Sequence, residues 1–244
     1  MTVAQPQWPF QQPRPEGLAL YCLGLDDYPL PDAPALAHEQ WLEQALPSRR
    51  REFAAGRVCA AAALQALGHE PAWLPLARPY RYARFPLGVV GSISHTQDLA
   101  LACAADAQHF LGVGVDAERI AWHPELCPMT EHVMAASERV ALEGMTAVEQ
   151  LRFFYLSFSA KEAFFKAVFP ICHTDLEFAE AQLEHWDAQG HFRLRLTTAR
   201  LAPWFAQGQL FEGCWAVQGD TLLTLLTIGH DLACCDAAAG QGTG

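Results

Sequence analysis

A chain of 244 residues with 51% hydrophobic and 18% charged residues has the composition of a folded protein with a core of its own, which excludes a disordered or fibrous chain. Its net charge of −11 argues against a general nucleic-acid binder, whose phosphate partner needs the opposite sign. No run nears the roughly 18 apolar residues of a membrane span, the N-terminus lacks the pattern of a signal peptide, and the eight cysteines form no C-x-x-C, so they read as reduced thiols of a cytoplasmic protein.

Residues 1–16 are rich in proline and glutamine and read as an irregular lead-in. Residues 17–25, apolar and bounded by turn residues, predict a buried strand. A helix is expected over 35–46 and another over 49–67, with Pro47 as a breaker between them, Ser48 as N-cap and Gly68 as the stop. Arg49, Arg50, Arg51, Arg57, Arg78, Arg81 and Arg84 are seven of the sixteen basic residues, and the same stretch holds only Glu52 and Glu70 against them. In an acidic chain such a cluster reads either as a localised anion site or as a solvated helix face. Short strands follow over 88–95, 98–105 and 110–115. Then come a loop over 122–127, a helix over 130–143 and a long helix over 147–169 that Pro170 should end. Strands over 176–186, 192–198, 213–217 and 222–228 precede an alanine- and glycine-rich tail expected to be disordered. Strands and helices in each half make the class α/β or α+β.

Three places carry side chains suited to chemistry. In 111–118, Leu-Gly-Val-Gly-Val-Asp-Ala-Glu, an apolar strand ends in carboxylates at i and i+2, which point to the same side of an extended chain. Asp116 and Glu118 either converge on a hard cation such as Mg²⁺, which takes oxygen ligands and usually binds substrate phosphates too, or are solvated strand-end charges. His95 closes the run Gly91-Ser-Ile-Ser-His, either as a hydrogen-bonded turn residue or, with Ser94, as a phosphate contact. The stretch 158–167 contains both lysines of the chain, Lys161 and Lys166, the other fourteen basic residues being arginine. Glu162 interrupts an apolar helical stripe of Leu151, Tyr155, Phe158, Phe165 and Phe169, one turn before Lys166. It is either half of an i, i+4 ion pair worth a few tenths of a kcal/mol or a buried working carboxylate, because an isolated buried charge costs too much to be incidental. No G-x-S-x-G elbow and no cysteine in a motif supplies a nucleophile.

In order, Arg49-Arg50-x-Glu52-Phe53-x-x-Gly56-Arg57, Gly91-Ser-Ile-Ser-His95, Gly114-Val-Asp116-x-Glu118 and Phe158-Ser-Ala-Lys-Glu162-x-x-x-Lys166 resemble the successive motifs of the 4′-phosphopantetheinyl transferases, and most of all the group that includes enterobactin synthetase component D. The resemblance spans residues 49–170. It implies a monomer of two similar α/β subdomains in a pseudo-twofold arrangement, 1–114 and 115–236, followed by the tail 237–244, with coenzyme A in the cleft between them. The implied reaction moves phosphopantetheine onto a serine of an acyl or peptidyl carrier protein and releases 3′,5′-ADP. By the same resemblance Asp116, Glu118 and Glu162 would hold Mg²⁺, Glu162 and Lys166 would be catalytic, and Arg49, Arg50, Arg57, Arg81, Ser94, His95 and Lys161 would contact coenzyme A. The chain departs from the family pattern at Ala83 and Phe85, where a proline and a tryptophan are expected, and at Ala117 between the acidic residues. A coenzyme A-binding module without catalysis and a metal-dependent phosphohydrolase are the competing expectations.

Overall fold

The computed structural model describes residues 4–26, 28–29, 42, 44–80 and 82–232, so most of the helix expected over 35–46, Arg81 and the tail from 237 lie outside it. The mixed α/β class is borne out, with two sheets whose strand pairs are all antiparallel. In the first half β1 (Gln5–Pro6), β2 (Leu18–Gly24), β3 (Val89–His95) and β4 (Leu99–Asp106) make a sheet of order β1-β2-β4-β3. One face of it is covered by α1 (Pro47–Ala66), whose Ala55, Cys59, Ala60 and Ala63 pack with Ala19, Ala100, Ala102 and Ala104. Small side chains on both surfaces bring the helix close to the sheet. Pro47 does not break a helix here but begins one. At the first helical position its missing N–H would have had no partner anyway, and Ser48, expected as the cap, lies inside the helix behind Leu46.

The second half comprises β5 (Phe110–Arg119), α2 (Leu126–Val133), α3 (Ala136–Ala141), α4 (Ala147–Cys172), β6 (Ala181–Trp186), β7 (His191–Leu196), β8 (Leu210–Gln218) and β9 (Thr221–Gly229), with sheet order β5-β9-β8-β7-β6. The single helix expected over 130–143 is therefore two short ones, and α4 runs past Pro170. A proline in the last turn forfeits one backbone hydrogen bond and leaves the rest; the helix ends at His173, in the left-handed conformation at φ 49°, whose N–H bonds to Phe169 O. At its start Thr146 and Glu149 form a reciprocal capping box.

The strand β5 is longer than expected because it pairs with β9 as far as Arg119 opposite Thr221. Asp116 and Glu118 thus sit within a paired strand, and the expected dividing line at 114/115 falls inside it. Alternation along β5 then sets the design of the second half. Val113, Val115 and Ala117 face the first sheet and join Leu18, Leu20, Leu101 and Cys103 in a core between the two sheets. Gly112, Gly114 and Asp116 face α4. A Cβ on Gly114 would lie 1.7 Å from Ala163 O and one on Gly112 2.5 Å from Ala167 O, so only glycine lets α4 rest on the strand's backbone. The edge strands β3 and β5 meet side by side, Val115 N–H donating to Ser92 Oγ at 3.2 Å.

Candidate active site

The junction of β3, β5 and α4 gathers side chains from all the motifs after the first. Asp116 is 2% exposed, and its Oδ1 accepts from Ser94 Oγ at 2.8 Å and Lys166 Nζ at 2.5 Å, while Oδ2 accepts from Ser159 Oγ at 2.8 Å. Lys166 also donates to Ser94 Oγ at 3.0 Å. Thr224, opposite Asp116 in the β5–β9 ladder, completes the cluster 2.8 Å from Ser159 Oγ and donates to Ser159 O at 3.0 Å. Tyr155, Ser159, Glu162 and Lys166 recur at helical spacing, which is why one face of α4 serves the site.

The electrostatics are those of an acidic cluster short of positive charge. Burial, then Asp116, raise the pKa of Glu118 to about 8; Lys166 opposes this and Glu162 adds to it. Burial also raises Glu162, with Lys166 opposing and Asp116 adding. Burial works against the charge of Lys166, yet Asp116, Glu162 and Glu118 together hold its pKa above the ordinary lysine value. The three carboxylates therefore sense one another, but among the described residues no three acidic, histidine or cysteine side chains converge closely enough to ligate a metal. The ammonium of Lys166 occupies the Asp116 oxygen instead. All the acidic groups offer hard oxygen donors to a site with excess negative charge, which fits a hard divalent cation.

Above this cluster lies a cleft of about 570 Å³, within the usual range for small-molecule sites. Arg49, Glu52, Phe53 and Arg57 of α1, Tyr80 and Tyr82, His95 of β3, and Lys166 and Phe169 of α4 line it. Arg57 Nε donates to Leu74 O at 3.1 Å, and its guanidinium lies 3.8 Å from the Phe53 ring centre. His95 Nε2 accepts from Arg49, and Nδ1 lies 3.5 Å from Glu52 Oε2, so the imidazole is neutral with its proton toward Glu52. Its pKa is lowered, first by burial and then by Arg49, against the opposing pull of Glu52. At the far wall Tyr80 stacks on His173, the rings 4.4 Å apart and 12° from parallel, and Tyr82 Oη lies 3.2 Å from His173 Nε2. A second cavity, lined by Glu118, Tyr155, Thr96 and Gln97, shares Glu52 and His95 with the first.

The residues expected at this site divide into three groups. Asp116, Ser94 and Lys166 touch directly; Glu118 and Glu162 belong to the same electrostatic cluster; Arg49, Arg57 and His95 line the adjoining cleft. Arg50 does not, because one residue's step of about 100° turns it away from the face shared by Arg49, Phe53 and Arg57. Lys161 must be corrected outright. It is fully buried, and its ammonium donates to Val133 O and to Glu138 Oε2, both at 2.7 Å, so it cannot reach a ligand in the cleft. The sequence reading missed Ser159 and Thr224, although Ser159 lies within a quoted motif, and gave no role to Glu52, the one acid beside the arginine run.

Comparison with known proteins agrees in both halves. The profile described as "4'-phosphopantetheinyl transferase N-terminal domain" matches residues 37–105, and that of the "4'-phosphopantetheinyl transferase superfamily" matches 112–224. The 4′-phosphopantetheinyl transferase Svp of Streptomyces mobaraensis is 35% identical over 82% of this chain and 80% of its own length. Enterobactin synthase component D of Escherichia coli K12 is 33% identical over 63% of this chain and 70% of its own. The 4′-phosphopantetheinyl transferase PptT of Mycobacterium tuberculosis is 31% identical over 82% and 86%.

Proposed function

The chain belongs to the 4′-phosphopantetheinyl transferase superfamily, and from that premise we propose that it transfers the 4′-phosphopantetheine group of coenzyme A to a serine of an acyl or peptidyl carrier protein, releasing 3′,5′-ADP with the help of Mg²⁺. The observation that carries the reading is the cluster of three carboxyl groups, Asp116, Glu118 and Glu162, with Lys166, beside a cleft lined with arginine, histidine and aromatic rings. A phosphoryl transfer of this kind needs positioning and charge neutralisation more than a covalent nucleophile, and the site is built from groups that supply both.

Arg49, Arg57 and His95 bind the phosphates of coenzyme A, and the Tyr80–Tyr82–His173 wall bounds the nucleotide end. Arg49 and Glu52 hold the His95 ring in place beside those phosphates. Asp116, Glu118 and Glu162 would hold Mg²⁺, which when bound neutralises the pyrophosphate. Glu162 accepts the proton as the carrier serine oxygen bonds to the phosphorus of the phosphopantetheine group. The bond from that phosphorus to the oxygen of the departing 3′,5′-ADP breaks, and Lys166, held in its charged form, steadies the charge on the leaving oxygen. The proposal extends to a monomeric, cytoplasmic enzyme, which the free buried thiols of Cys22, Cys59 and Cys103 suit.

Intact-mass measurement of several apo carrier proteins, incubated with this enzyme, coenzyme A and Mg²⁺, tests the reading. Each substrate carrier should gain one phosphopantetheinyl group, and 3′,5′-ADP should form in equal amount. Coenzyme A binding without any mass gain would favour a binding module, and coenzyme A breakdown without a carrier would favour a hydrolase.

A further inference from the structure

One of the two lysines of the chain is spent where no substrate can reach it. Lys161 and Glu138 have fully buried side chains, and their contacts join α4 to α2, α3 and, through Glu138, β6. Lys161 Nζ donates to Val133 O, the last residue of α2, and to Glu138 Oε2 at the start of α3. The same Oε2 accepts from Ala135 N at 2.6 Å, and Oε1 accepts from Ser157 Oγ at 2.7 Å and from Leu183 N of β6 at 3.1 Å. Ser157 and Lys161, at i and i+4, share a face of α4 different from that of Ser159, Glu162 and Lys166. The long helix is therefore pinned by polar contacts on two sides, to β3, β5 and β9 through Asp116, Ser94 and Thr224, and to α2 through Lys161 itself and to α3 and β6 through Glu138.

We propose that Lys161 and Glu138 are positioning residues: the buried hub they form fixes the rotation of α4, and so aims Lys166 into the cleft and Glu162 toward the carboxylate cluster beside it. The proposal rests on the transferase reading for its catalytic consequence but not for its structural one. A buried ion pair by itself adds little stability compared with well-packed apolar residues, whereas removing one partner is strongly destabilising. The directional hydrogen bonds that join α2, α3, α4 and β6 are what an apolar pair of the same size could not replace.

The test compares Lys161→Met, Glu138→Leu and the double variant. Because the chain has only two lysines, lysine labelled with ¹³C at Cε gives a single remaining signal, that of Lys166, in any variant lacking Lys161. The single variants should melt lower than wild type and the double variant close to it. In the double variant the Lys166 signal should nevertheless move from its wild-type position, and kcat should fall about 10- to 100-fold, the scale of a misplacement of about 1 Å, with coenzyme A affinity within about twofold. A well-folded double variant with the Lys166 signal and kcat unchanged overturns the proposal, and a large loss of coenzyme A affinity with kcat intact returns Lys161 to the role of a ligand contact. If wild type modifies no carrier, the transferase reading fails, while the Lys166 signal still decides whether the hub positions the helix.

Discussion

The helix α4 carries two lysines five residues apart, each paired with a carboxylate of another element, and the surroundings of the two pairs differ. Around Glu138 and Lys161, both 0% exposed, the carboxylate meets three donors besides the ammonium, on Ala135, Ser157 and Leu183. Around Asp116 and Lys166 two further carboxylates crowd in, and Glu118 and Glu162 are pushed toward their protonated forms by burial and by the charge of Asp116. The first cluster is closed and complete; the second opens on two cavities and sets three carboxyl groups against one ammonium. A lysine and a carboxylate thus make a fastener in one place and a receptive site in the other, and the distinction lies in the count of partners and in access.

The largest effect should come from breaking the receptive cluster. Glu162→Gln keeps the shape of the side chain and removes the base, so carrier loading should slow about 10²- to 10⁴-fold with the melting temperature unchanged. Single-turnover kinetics check this, and normal turnover would remove Glu162 from the mechanism. Glu138→Leu alone attacks the fastener. It leaves the Lys161 ammonium buried without its counter-charge, and urea titration should show a loss of about 3–5 kcal/mol.

A pH series separates the clusters more finely. Glu118, with its pKa near 8, keeps a proton in the folded chain that it has released in the unfolded chain above the ordinary value of 4.5. The folded state therefore binds more protons in that window, and stability falls as pH rises from about 5 to 8. Glu118→Gln should flatten the slope in urea melts, as should a divalent cation that favours the deprotonated form; a slope untouched by both would assign the drift elsewhere. The smallest effect is expected of Ser159→Ala, which removes one hydroxyl donor from Asp116 Oδ2. A stability loss of about 1–3 kcal/mol, the scale of a lost buried hydrogen bond to a charged group, should accompany a raised Mg²⁺ requirement for transfer.

What sequence spacing could show of this site was which residues share a side. Asp116 and Glu118 at i, i+2 and Glu162 and Lys166 at i, i+4 translate directly into common faces once strand and helix are recognised. The same arithmetic turns Lys161 about 100° away from Glu162, but nothing in the spacing reveals that Glu138 waits for it. Ser159 and Thr224 belong to the cluster only through the register that sets Asp116 opposite Thr224, a pairing across more than a hundred residues. The prolines misled for a local reason: Pro47 and Pro170 stand in the first and last turns of helices, where the ring is tolerated. The strand ends were short because pairing with β9, not composition, extends β5 to Arg119.

The bare backbone of Gly114 against Ala163 O has a consequence for how such a site can vary. Side chains around it can be exchanged one at a time, each absorbing a little of the change, but a helix resting on a strand's main chain has reached a mechanical stop. The gap between a carboxylate on β5 and one on α4 is then a gauge built into the scaffold, indifferent to drift in the residues nearby. A single methyl group at position 114 would reset it along the whole helix at once.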